Sequence, residues 1–281
     1  MIIHSSLKQA AVDFFNISDS PQLDAELLLA HVLGRNRHEL RGKGDQALSD
    51  LESTHFNSLI TRRQQGEPIA YLIGHQEFYL DSFVVTPAVL IPRPETELLI
   101  DIVKSQADPT SPLDLLDLGT GSGAIGLTLA GLFGNAKITM TDVSIEALEV
   151  AKLNAKRLQR ESQITLLHGA WFACVASTSR YDFILANPPY LQDNDPHAEA
   201  AVLAYEPKLA LSAGPSGLEA LTHIIDMAPR FLKPNGQLWL EHGINQAAAV
   251  RDCLTERGFS QVRSLRDLAQ IERVSGGQWV G

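Results

Sequence analysis

The chain has 281 residues, 44% hydrophobic and 20% charged, with 23 lysines and arginines against 33 acids for a net charge of −10. That is room for one large domain or for a core domain with a smaller companion, and the balance fits a soluble globular protein rather than wholesale disorder. The acid excess works against duplex binding, which needs a positive surface to neutralise phosphates, and no apolar run approaches membrane-spanning length, so neither nucleic acid nor membrane is expected as a partner.

Two cysteines, Cys174 and Cys253, lack motif spacing, so neither a disulfide framework nor a metal site is expected. The N-terminus shows no secretory or transit pattern, and a reducing cytoplasmic compartment is the expectation.

Residues 1–74 read as a small helical domain. Leu7, Ala11, Phe14 and Phe15 recur at helical spacing as a core stripe, Ser20-Pro21 reads as an N-cap followed by proline at the first helical position, and Gly34 ends the helix carrying a second core stripe, Leu23, Leu27, Leu28 and His31. A third helix over residues 49–66 turns Leu51, Phe56, Leu59 and Ile60 inward and leaves Arg62 and Arg63 in solvent. Residues 75–93 form the connection, with 75–86 alternating loosely as a β-hairpin between two domains. The run Ile91-Pro92-Arg93-Pro94-Glu95-Thr96-Glu97 then opens a helix with good first-turn chemistry. An arginine between two prolines is held on stiff backbone, and two readings stand: it faces an active cleft, or it pairs with an acid.

Within the remaining domain, 94–281, strands and helices alternate from Leu113 in the pattern of a doubly wound parallel α/β sheet. Strands are expected at 113–118, 137–141, 164–167, 181–186 and 237–240, the last after the turn Pro234-Asn235-Gly236. Helices are expected at 124–132, 144–158, 216–231 and 244–257, and residues 261–265 and 271–280 close the chain as a hairpin.

Two turns carry the chemistry. Gly119-Thr120-Gly121-Ser122-Gly123 lets the backbone bend sharply and approach a ligand where such sheets bind them. Gly121-x-Gly123-x-x-Gly126 also satisfies the dinucleotide fingerprint, and Asp142 at the next strand end suits a ribose diol in either case. The earlier glycine spacing directly after Asp117, with no aligned basic residue for a phosphate, favours S-adenosylmethionine over a nicotinamide. The second turn, Asn187-Pro188-Pro189-Tyr190, follows the strand at 181–186. Its prolines fix φ, remove two backbone donors and hold Asn187 extended. The result is a stiff rack of an amide oxygen, backbone oxygens and an aromatic face, suited to a planar NH2 group.

These residues resemble the HemK/PrmC family of protein-(glutamine-N5) methyltransferases, which act on class I peptide chain release factors. The stretches at 91–97, 117–123 and 187–190 match its pattern in order, as do Glu206-Pro207 with Ala210-Leu211, and Leu240-Glu241-His242-Gly243. The resemblance covers essentially the whole chain. It implies a Rossmann-like class I S-adenosylmethionine-dependent methyltransferase behind a helical substrate-recognition domain, with release factor as protein partner. By the same resemblance Gly119, Thr120, Gly121, Ser122, Gly123, Asp142, Trp171 and Asn187 hold the cofactor. Asn187, Pro188, Pro189, Tyr190 and Arg93 hold the substrate, and Asn187, Pro188 and Tyr190 serve catalysis. The family often carries an acid before the tryptophan, where this chain has Ala170, so a backbone carbonyl or water is expected at the adenine amino group. Asn-Pro-Pro-Tyr also occurs in adenine-N6 DNA methyltransferases, an alternative the acidic charge disfavours. A nicotinamide oxidoreductase and a non-catalytic binding module are further alternatives. Glu241 and His242 at a strand end are read as structural hydrogen-bonding groups ahead of catalytic bases. Finally, Gly276-Gly277-Gln278 repeats the tripeptide this family methylates, which raises self-methylation at Gln278.

Overall fold

The computed structural model describes residues 2–193 and 200–281. Two compact units emerge, Met1–His75 with Ala200–Tyr205, and Gln76–Glu199 with Glu206–Gly281.

The first unit opens with four helices, α1 (Ile3–Asp13), α2 (Pro21–Leu33), α3 (Asp50–Gln64) and α4 (Ile69–Ile73). Ser49 caps α3 reciprocally with Glu52, and Gly34 ends α2 in the left-handed region. Ser20 precedes α2 without a side-chain cap; proline at the first position sets the start instead. Ile3, Phe14, Leu28, Leu29, Phe56 and Leu59 form the core. Phe15 and Leu51, expected inside, are 75% and 84% exposed: Phe15 lies in the turn past the end of α1, and Leu51 falls one step off the inward face of α3. Arg63, expected in solvent, instead donates from Nε to the buried Asp24 at 2.9 Å, and Arg62 pairs with Glu67.

The second unit begins with a hairpin of β1 (His75–Phe78) and β2 (Asp81–Val84). Phe78 and Phe83 are buried with Leu99 and Val103 of α5 (Glu97–Gln106), so the hairpin is part of this unit's core rather than a free linker. The sheet then builds from its middle, through β3 (Asp114–Leu118), α6 (Ala124–Leu132), β4 (Lys137–Asp142), α7 (Ile145–Arg157) and β5 (Ile164–His168). The chain crosses back to β6 (Tyr181–Ala186) on the other side of β3, and α8 (Ala200–Tyr205) belongs to the first unit. Last come α9 (Glu219–Met227), β7 (Leu232–Glu241), α10 (Ala247–Arg257), β8 (Ser260–Arg266) and β9 (Glu272–Gln278). The strand order is β5-β4-β3-β6-β7-β9-β8, parallel from β5 to β7, with β9 antiparallel to both neighbours.

Alternation along each strand splits the core into two layers. Leu115, Phe183, Leu185 and Trp239 face the α5–α7 side, and Leu116, Ile184, Leu238 and Leu240 face α9 and α10. Two helices are shorter than their patterns predict. The one expected over 216–231 begins at Glu219, whose carboxylate accepts from Ser216 N, and gives way to a 3-10 turn at Ala228–Arg230 containing Pro229. The one expected over 244–257 begins at Ala247, because Gln246 spends its side chain on Gly243 N, Tyr190 O and Gly217 O. Pro234-Asn235-Gly236 lies inside β7 as an irregularity rather than before it, with Asn235 at φ 67° and bonded through its N–H to Trp279 O.

The Gly-Gly-Gln of the C-terminal strand has a structural explanation. Gly276 lies across from Trp239, where a Cβ would run into the Trp239 ring and Leu238 O. Gln278 pairs with Gln237, four residues back along β7 from Glu241, roughly 13 Å from the strand end where ligands bind. Its amide is engaged with Gln261 and Asn235 O, so the folded strand holds it away from the cavity.

Candidate active site

Between β3 and β6 the chain direction of crossover reverses, and the carboxyl ends of neighbouring strands leave a crevice. A cavity of about 500 Å3 opens there. Gly119, Thr120, Gly121, Ser122, Asp142, Trp171, Asn187 and Pro189 all line it, which brings most of the predicted site together.

The glycine turn is shaped from below. Gly119, Gly121 and Gly123 have φ of 70°, 54° and 86°, the left-handed region that disfavours a side chain. Asp117 is 1% exposed, and its Oδ2 accepts from Thr120 Oγ1 at 2.6 Å and from Gly126 N at 3.0 Å. Burial pushes its carboxyl up to about 6, and its Oδ1 has no partner among the described residues. Asn154, wholly buried on α7, ties the turn to the hairpin. Its Nδ2 donates to Ser122 O at 2.9 Å and Val84 O at 3.0 Å, while its Oδ1 accepts from Val84 N at 2.7 Å. Sequence reasoning missed this residue. The available signal was a polar side chain in register with the buried stripe Leu148, Ala151 and Ala155.

Asp142 presents its carboxylate at the next strand end. Oδ2 accepts from Gly121 N and Oδ1 from Ser144 N, both at 2.9 Å, while burial raises its affinity for a proton. Each oxygen keeps lone-pair capacity for a diol. Trp171 holds a left-handed φ of 50°, and a Cβ added at Gly119 would meet its ring at 3.4 Å, so turn and indole form one narrow wall. S-adenosylmethionine fits this donor set: a cradle only glycine can line, an acid aimed at hydroxyls, and an indole wall. Ala170, Val143 and Ala147 also line the cavity, without an acid at the position before Trp171.

The rack at the end of β6 is fixed from three directions. Asn187 Nδ2 donates to Thr96 Oγ1 at 3.1 Å, and Thr96 Oγ1 donates to Glu241 Oε2 at 2.6 Å. Tyr190 Oη approaches Glu241 Oε1 at 3.5 Å, and Tyr190 O accepts from Gln246 Nε2 at 3.0 Å. Glu241 is 2% exposed, and burial pushes its carboxyl up to about 7. Burial, reinforced by Glu241, drives the Tyr190 hydroxyl well up, so it stays protonated. Thr96, Glu241 and Asn187 come from three distant stretches, which is why the link left no local trace in the sequence.

Four predicted residues stand outside the cavity lining. Gly123 is the N-cap of α6 behind the turn, and Pro188 is buried under the rack. Tyr190 braces the rack through Glu241 and Gln246 rather than lining the cavity. Arg93, predicted as a substrate contact, pairs with the buried Glu206, which also accepts from Ile91 N at 3.1 Å; of its two readings, the structural pair is the one formed. His242 is buried with Nε2 against Ser275 Oγ at 2.7 Å and Nδ1 against Gly243 O, a structural placement outside the cavity lining. The lining also includes Pro207, Leu209, Ala210 and His223, and among these only Pro207 and Ala210 belong to a noted motif.

The chain resembles known proteins. Residues 6–74 match the PrmC N-terminal domain family, and residues 94–205 the methyltransferase small domain family. The chain is 41% identical over 275 residues to the release factor glutamine methyltransferase of Burkholderia pseudomallei, covering 96% of both chains. It is 40% and 39% identical to the enzymes so named in Salmonella typhimurium and Escherichia coli K12, again over 96% of each chain. Among solved structures, the T. thermophilus 16S rRNA N2 G1207 methyltransferase in complex with AdoMet and guanosine superposes with TM-score 0.54 at 17% identity, over 73% of this chain and 49% of that one. The hMettl16 catalytic domain gives TM-score 0.54 at 15% identity over 82% of each chain. Those two likenesses establish the class I methyltransferase fold. The sequence relatives establish more: the chain belongs to the release factor glutamine methyltransferase family.

Proposed function

We propose that the chain methylates the side-chain amide nitrogen (N5) of the glutamine in the Gly-Gly-Gln motif of class I peptide chain release factors. The observation that carries the reading is Asn187. Its Nδ2 is occupied by Thr96 while its side chain lines the same cavity as the glycine turn and Asp142, leaving Oδ1 as an acceptor for a substrate amide hydrogen. Pro188 has a buried ring beneath the rack, and its backbone carbonyl, with no donor on the same residue to compete, is read as the acceptor for the second amide hydrogen.

Gly119, Thr120, Gly121, Ser122 and Trp171 are the residues for the cofactor's methionine part and flank, with Gly123 shaping the turn and Asp142 for the ribose. S-adenosylmethionine, held by the glycine turn, Asp142 and Trp171, would supply an electrophilic methyl and a thioether leaving group, and the substrate nitrogen that gained the methyl would lose its surplus proton to water. An amide nitrogen is a weak nucleophile, so the protein's share is alignment, which is worth roughly 7–11 kcal/mol in favourable cases. Asn187 and Pro188 orient the NH2 and favour a tetrahedral nitrogen. Tyr190 and Pro189 stiffen the rack. No strong base is needed, since the methylated, still protonated amide is acidic. The helical unit over residues 1–74 is read as the recognition platform for release factor. Val12 and Phe15, 64% and 75% exposed near the end of α1, offer it apolar contact area.

Intact-mass analysis of release factor incubated with enzyme and S-adenosylmethionine, followed by peptide mapping, tests the reading. One added methyl on the Gly-Gly-Gln glutamine is expected. Methyl transfer to plasmid DNA in a parallel arm, with none to release factor, overturns it in favour of the adenine alternative.

A further inference from the structure

An asparagine amide is nearly symmetric in shape, so nothing steric decides which end faces a substrate. At Asn187 the choice matters. A carboxamide NH2 is a pure donor, so an Asn187 turned to present its own NH2 would set donor against donor.

We propose that Thr96 and Glu241 are positioning residues that fix the polarity of the Asn187 amide: Thr96 spends its single proton on Glu241, can then only accept from Asn187 Nδ2, and thereby holds Asn187 Oδ1 towards the cavity. The proton count follows from the geometry. Thr96 Oγ1 lies 2.6 Å from Glu241 Oε2 and 3.1 Å from Asn187 Nδ2. Thr96 is 4% and Glu241 2% exposed, so water is poorly placed to take over either link. A carboxylate has no proton to offer, the hydroxyl must donate to it, and the direction propagates to Asn187. The inference rests on the reading that Asn187 Oδ1 accepts from the substrate amide.

The relay holds its direction only while Glu241 is ionised. The groups facing that carboxylate are the Tyr190 hydroxyl behind β6, Glu95 in the Pro94–Thr96 turn and Arg273 on β9. Burial and Glu95 favour the protonated acid, while the Thr96 and Tyr190 hydroxyls and Arg273 favour the anion, and the balance puts its midpoint at about 7. A protonated Glu241 has one donor and one acceptor oxygen. It no longer dictates which way Thr96 points, and Asn187 is free to turn. Glu241→Gln copies that state at every pH, since an amide also offers one donor and one acceptor end.

The test measures kcat and KM for methylation of release factor between about pH 5 and pH 9, with S-adenosylhomocysteine affinity by calorimetry as a second readout. Wild type is expected to gain activity through an acid limb near neutrality. Glu241→Gln is expected to lose that limb and run at the wild type's low-pH rate throughout. Thr96→Val is expected to lower kcat by about 10- to 100-fold while leaving S-adenosylhomocysteine affinity within about twofold, and Thr96→Ser to stay within about threefold of wild type. An acid limb retained in Glu241→Gln, or wild-type kcat in Thr96→Val, overturns the relay. If Thr96→Val fails to fold, the Glu241→Gln profile decides alone. Asn187→Ala separates this inference from the reading beneath it. Full activity there removes the amide grip itself, whereas an inactive Asn187→Ala beside a fully active Thr96→Val removes only the relay.

Discussion

Asn154 is the residue whose removal reports most clearly on how the cofactor turn is held. Asn154→Ala leaves three backbone groups without their partner: Ser122 O, Val84 O and Val84 N. Each such group costs about 1–3 kcal/mol when it stays dry. Ser122 is 2% exposed, but Val84 is only half-buried and water can reach it. Alanine also returns up to about 0.7 kcal/mol of helix propensity. The expected net loss is about 3 kcal/mol. Asn154→Asp keeps the shape and still accepts from Val84 N, yet it sets a carboxylate oxygen against two carbonyls, so its loss at neutral pH should exceed that of alanine. Urea unfolding gives the stability change as a shift in midpoint at constant slope. Calorimetry with S-adenosylhomocysteine should show affinity down about five- to tenfold as the turn loosens, equal to roughly 1–1.4 kcal/mol. An alanine variant within about 0.5 kcal/mol of wild type, or an aspartate variant more stable than the alanine one, refutes the clamp.

Gly126→Ala places a Cβ 2.9 Å from Met140 Cγ and 3.1 Å from Asp117 Oδ2; a net destabilisation of about 1–2 kcal/mol by urea midpoint is expected despite the better helix former. Asp142→Ala removes the partner of Gly121 N and Ser144 N together with the diol acceptor, so S-adenosylhomocysteine affinity should fall at least about tenfold by calorimetry. Burial raises the folded midpoint of Glu241 to about 7 from the ordinary glutamate value of 4.5. The sign follows: the native state binds the proton more tightly than the unfolded chain, so this contribution is fully present below about 4.5 and is lost as pH rises through about 7. Stability of wild type relative to Glu241→Gln should therefore decline between those limits in urea unfolding at stepped pH, and a constant difference contradicts the buried-acid assignment.

Parts of this molecule were readable where local chemistry marks both ends of an element. Helix Ala124–Leu132 and strand Tyr181–Ala186 lie where the pattern puts them, the first behind a glycine turn and the second ahead of two prolines. The α1–α3 faces read less well: α2 is apolar nearly all round, and Leu23, counted as inward, is 38% exposed while Leu29 is wholly buried. The start of α10 was hidden because Gln246 is used by residues 29 and 56 positions away. The same holds for the site. Its two turns are contiguous in sequence and were legible, whereas Thr96 meets Glu241 across 145 residues and Asn154 meets Val84 across 70. Long-range hydrogen bonds have no period, and only the folded sheet brings them together.

The central claim is that Asn187 serves first to grip the substrate amide, with any share in holding the cofactor secondary to that. Single-turnover methylation of release factor by Asn187→Ala, run beside calorimetric binding of S-adenosylhomocysteine to the same preparation, tests it most directly. The expected result is a methyl-transfer rate down by about 100-fold or more with cofactor affinity within about threefold of wild type. Wild-type transfer by Asn187→Ala, or loss of transfer matched by equal loss of cofactor binding, contradicts it.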